Sequence, residues 1–71
     1  MMKFEKSVQF SNGWVATNSE KLVMIIESSV DGLYELWIEN EFNNVYKTFD
    51  IARRWAETAV AHSASEKEGV H

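Results

Sequence analysis

The chain contains no cysteine and no proline, and it has three glycines and two histidines. Without cysteine, neither a disulfide nor a thiolate metal site can form. Without proline, no strand loses a backbone donor, so a sheet edge built from this sequence keeps its full pairing capacity. Gly13, Gly32 and Gly69 are too scattered to make a phosphate-cradling loop. His62 and His71 bring no spaced co-ligands, and Ser63 beside His62 lacks the orienting acid of a triad. No catalytic, metal or cofactor site is therefore expected. No apolar run approaches the roughly 20 residues that cross a bilayer. The opening "MMKFEKSVQF" also lacks the apolar core and small-residue cleavage site of a secretory leader. These absences point to a cytoplasmic protein with no membrane partner.

What is present suits one small domain. Of 71 residues, 45% are hydrophobic and 13% aromatic, enough to drive collapse. A chain this short buries only about 60% of its unfolded surface, so its stability is marginal. With no covalent staple, pairing into a homodimer is one route to more buried area. The formal charge is -4, from 11 acidic and 7 basic residues, which disfavours a nucleic-acid partner.

The hydrophobic pattern alternates with turn signals. Phe4, Val8 and Phe10 share one parity, and Asn12-Gly13 reads as a tight hairpin before "WVAT". "LVMIIES" is a continuous apolar run, as expected of a strand covered on both faces. Asp31-Gly32 is a second hairpin dipeptide, and "LYELWIE" alternates strictly. "NEFNN" reads as a longer turn before the last strand, "VYKTF". Short connections between successive strands imply antiparallel neighbours. Thr48 or Asp50 can cap the helix that follows. In that helix Ile51, Ala52, Trp55, Ala56, Ala59 and Val60 form one stripe, with Trp55 expected at the centre of the core seam. The expectation is an α+β domain over residues 1–63. It comprises an antiparallel β-meander of about four strands and one C-terminal helix packed on the sheet, with a disordered tail over 64–71.

Binding candidates lie on the strands. Trp37 shares its face with Glu35 and Glu39, with Glu41 close by and Tyr46 on the neighbouring strand. A large aromatic in an acidic setting suits a protein interface, and a basic partner in particular. The competing assignment is a DNA-binding patch of Lys47, Arg53 and Arg54; a structural homo-oligomer comes third.

The stretch "YKTFDIARRWAETA" resembles the strand-to-helix passage of small β-meander-plus-helix domains carried by phages and mobile elements. The arm-site DNA-binding domains of tyrosine recombinases belong to that group. The resemblance covers about a third of the chain. Those arm domains carry basic residues on their strands, where this chain has Glu35, Glu39 and Glu41. The resemblance implies a phage-like or mobile-element-like protein; the acidic, aromatic sheet surface makes it a protein-binding one, in its most specific form an inhibitor of a host nucleic-acid-handling protein.

Overall fold

In the computed structural model, residues 2–69 are described, with side chains from 2 to 61. Strands β1 (Phe4–Lys6), β2 (Gly13–Ala16), β3 (Val23–Glu27), β4 (Tyr34–Ile38) and β5 (Glu41–Tyr46) precede one helix, α1 (Phe49–Gly69). The five strands pair antiparallel in chain order, β1-β2-β3-β4-β5. This is the α+β meander with a C-terminal helix on the sheet. The strand number is five because both end segments pair: β1 contributes three residues and β5 six. His62, Ser63 and the expected tail over 64–71 have no described side chains, and His71 lies outside the described residues altogether. No helix among the described residues is long and apolar enough to cross a membrane.

The turns depart from the sequence reading in an instructive way. Asn12-Gly13 is no two-residue hairpin. A loop of residues 7–12 joins β1 to β2, closed by the Ser7 N–H donating to the Gly13 carbonyl at 2.9 Å. Asn12 instead ties this loop to β3, its side-chain amide donating to the Glu27 carbonyl. Gly13 sits where space is tight: an added Cβ would lie 3.1 Å from Phe10 Cβ, which would have to yield by a few tenths of an ångström. Gly32 does take positive φ, 71°, but within a wider loop, its N–H donating to the Ser28 carbonyl at 3.0 Å.

The tight hairpin falls at Glu39-Asn40. Ile38 pairs with Glu41, and the two residues between have φ of 53° and 66°, the both-positive pattern of a two-residue reverse turn. Glu39 is an unusual occupant, because its Cβ disfavours the left-handed region. Its position is fixed from both sides of Leu22. The Glu39 N–H donates to the Leu22 carbonyl at 2.7 Å, and its carboxylate accepts from the Leu22 N–H at 3.1 Å. The side chain thereby extends the β3–β4 ladder by one rung. "NEFNN" is accordingly turn for one residue and strand for four.

The core lies between α1 and the sheet. Val23, Ile25, Leu36, Ala52 and Ala56 are the fully buried hydrophobics among the described residues. Phe49 opens the helix at the middle of an aromatic group, with ring centroids 5.6 Å from Phe4, 5.1 Å from Trp14 and 6.1 Å from Tyr34. Thr48 is the cap, its hydroxyl accepting from the Ile51 N–H at 3.2 Å. The helix is rotated from the orientation its apolar stripe suggested. Ala52 and Ala56 face the sheet, while Ile51 is 38% and Trp55 53% exposed. The small alanines allow close approach over β3, β4 and β5, and that leaves no depth for an indole beneath the axis. Trp55 is displaced to the flank, where its ring lies near-parallel to Tyr46.

Candidate protein-binding face

The helix covers one side of the sheet and leaves the other without a covering element among the described residues. Strand alternation decides what that side carries. Cross-strand register aligns Val15, Met24, Trp37 and Phe42 in one row, and Gly13, Ile26, Glu35 and Val45 in the next. Glu5 lies beside Val15 at the β1 end. The face is therefore a band of Val15, Met24, Ile26, Trp37, Phe42 and Val45. β3 is covered on one face only: Val23 and Ile25 are buried under the helix, while Met24 and Ile26 are half-buried on the open side.

One irregularity shapes the band. Leu36 pairs with Asn44 but Trp37 pairs with Phe42, so Asn43 is an extra residue, a β-bulge. In an unbroken strand Phe42 and Val45, three apart, would point to opposite sides. The bulge puts both on the open side, at 55% and 38% exposure. Phe42 meets Trp37 edge-on, centroids 5.7 Å apart at 76°. The Trp37 indole N–H donates to Glu35 Oε1 at 3.2 Å, which orients the ring on this face. Two glutamates, Glu5 and Glu35, lie among the strand residues of this face, with no lysine or arginine.

The expected site residues are only partly brought together. Trp37 and Glu35 are neighbours on the open face. Glu39 belongs to the turn, and its carboxylate is engaged with Leu22. Glu41 pairs with Ile38 and so projects to the helix side. Tyr46 pairs with Tyr34 on that same side, opposite Trp37. Phe42, Val45, Met24, Val15 and Ile26 were not anticipated as site residues. Met24 and Ile26 had a legible signal in their shared parity within the apolar run; Phe42 and Val45 had none, since their common face depends on the bulge.

The basic candidates divide similarly. Arg53 is held by two carboxylates, bonded to Asp50 and, at 3.2 Å, to Glu57. The Arg53 hydrogen bond, aided by the charges of Arg53 and Arg54, moves the Asp50 carboxyl below its ordinary value; the same bond raises the Arg53 guanidinium. Lys47 and Arg54 are exposed. No group of three or more metal-ligating side chains occurs among the described residues. No protein-family model matches the chain, and neither does any curated protein or solved structure.

Proposed function

We propose that this chain is a non-catalytic protein-binding module whose contact surface is the open sheet face centred on Trp37 and Phe42. The observation that carries this reading is the apolar band itself, which no element covers among the described residues and on which Phe42, 55% exposed, stands beside the partly exposed Trp37. Large aromatics on a rigid strand supply contact area at low entropic cost, which is why they anchor interfaces. The partner is a protein with an apolar ridge and a basic rim. Glu5 and Glu35 are the charged strand residues of the face, and a formal charge of -4 steers a basic partner toward it. A nucleic-acid-handling protein has the required basic surface, which makes inhibition of one the most specific form of the proposal.

A photoreactive phenylalanine analogue in place of Phe42, activated in the source cells, tests this. The expected products include, beside any adduct between two copies of this chain, one discrete adduct with a basic protein, lost when Trp37→Ala is added and absent when the analogue replaces Arg54. Adducts with nucleic acid, or equal yields from both positions, would contradict the proposal.

A further inference from the structure

We infer that the β5 edge is the seat of a second copy of this chain, joined antiparallel so that two five-stranded sheets become one of ten strands. β5 is an outer strand of the sheet, six residues long and proline-free, with a bulge at Asn43 and the Val45 N–H donating to Asn44 Oδ1 at 2.8 Å, a bond that a second strand would exchange for its own. Its outer side is flanked by large apolar groups above and below. Phe42 and Val45 border it on the open face, at 55% and 38% exposure. Trp55, stacked on Tyr46, borders it on the helix side at 53% exposure, with Ile51 beside Trp55 on the same flank of α1 at 38%. A groove lined by Asn43, Tyr46, Trp55, Thr58 and Ala59 runs between this flank of α1 and the strand. Half of the eight exposed large hydrophobics of the described chain thus surround one strand edge.

The occupant follows from the strand's own sequence, "EFNNVYK". It is acidic at the start, basic just past the end and polar in the middle, so it complements itself when antiparallel and repels itself when parallel. The register setting Phe42 against the partner's Val45 keeps like faces together, because both point to the open side. That register sets Glu41 against the partner's Tyr46, both on the helix side, and within one residue of the partner's Lys47. No two glutamates meet. A two-fold axis perpendicular to the sheet then places two α1 helices side by side, with Ile51 and Trp55 filling the space between them. The displacement of Trp55 from the core finds its use here.

The size of the core supports a permanent occupant. Three of the five fully buried hydrophobics are larger than alanine, and no disulfide supplements them. A core this small gains stability from any further buried area, and a second copy of the chain is present at equal concentration always. The inference rests on Phe42, Val45, Ile51 and Trp55 around one edge and does not depend on the identity of any basic partner.

Sedimentation equilibrium of the purified full chain tests it, with a mass near twice 8.2 kDa expected. Val45→Lys, which places a charge on the junction, should halve that mass. Because the chain has no cysteine, single-cysteine spin labels give a second readout that does not need a destabilised variant. A label at Asn44→Cys should show strong dipolar broadening from its symmetry mate, since paired strands lie about 5 Å apart. A label at Glu5→Cys, on the opposite edge, should show none. A wild-type chain that stays a monomer at the highest attainable concentration overturns the inference and leaves the edge to a different chain. Broadening at Glu5 and not at Asn44 overturns it as well.

Discussion

The rotation of α1 decides which aromatic stabilises the fold, and two substitutions measure it. Leu36 is fully buried, paired with Ile25 on one side and Asn44 on the other, under the helix. Leu36→Ala removes three heavy atoms from a closed site and should cost about 2–5 kcal/mol. For a domain of this length each kcal/mol moves the midpoint by roughly 4–8 °C, so a loss of at least about 8 °C is expected. Trp55 is the larger side chain but 53% exposed, and its ring contact is the near-parallel pairing with Tyr46 at 6.3 Å. An aromatic pair of that kind contributes about 0.5–1.5 kcal/mol beyond area burial. Because about half of the indole is buried as well, Trp55→Ala should cost about 2–3 kcal/mol, below the roughly 3–5 kcal/mol of a fully buried tryptophan. The assay is thermal unfolding followed by far-UV circular dichroism. It is run where the midpoint no longer depends on protein concentration, so that loss of association does not count as loss of packing. If Trp55→Ala costs more than Leu36→Ala, the indole lies beneath the helix and the described rotation is wrong.

Further predictions follow from the turn, the ion pair and the basic residues. Glu39→Ala removes the acceptor for the Leu22 N–H while keeping a Cβ in the left-handed region, and should lower stability by about 1 kcal/mol. Glu39→Gln, which keeps a carbonyl acceptor, should recover most of it, and urea midpoints of the two variants distinguish the outcomes. Asp50 has a folded pKa below its ordinary 3.8 because Arg53 bonds it, so its contribution is present above that value. It is lost as pH falls through the lowered folded pKa. The melting temperatures of wild type and Asp50→Asn should therefore converge in strong acid, and a gap that stays constant from neutral pH downward contradicts the pairing. Duplex DNA should not bind tightly at about 150 mM salt, because Asp50 and Glu57 occupy Arg53. Submicromolar fluorescence anisotropy binding that Arg54→Ala abolishes would refute this.

Periodicity made most of the fold legible. "LYELWIE" assigns Tyr34, Leu36 and Ile38 to one side and Glu35 and Trp37 to the other, and the sheet keeps that division. The strand order followed from short connections, and Thr48 was among the two expected caps. The turns were less legible because the same dipeptide serves more than one purpose. Asn12 satisfies a carbonyl across the sheet, and Gly13 avoids crowding Phe10, neither of which needs positive φ. Conversely Glu39 adopts positive φ with no local preference for it, since the compensating bond comes from Leu22, seventeen residues earlier. The helix orientation was hidden for a related reason. A stripe of Ile51, Ala52, Trp55 and Ala56 is wide enough to be set down on either flank, and the closer approach permitted by the alanines prevails. The candidate face was half-visible: alternation found Trp37 and Glu35, and the bulge at Asn43 concealed Phe42 and Val45.

The most direct test of the binding face compares folding and partner capture in one preparation of Trp37→Ala. The ring is half-buried on the uncovered side and held by Glu35 and Phe42, outside the core beneath α1. The variant should keep a cooperative unfolding transition, at a cost of about 2–3 kcal/mol from the buried part of the indole. It should bind the cross-linked partner at least about 30-fold more weakly, the 2 kcal/mol threshold of an interface hot spot. Unfolding of the variant would place Trp37 in the core, and unchanged affinity in a folded variant would place the contact elsewhere; either result contradicts the assignment of this face.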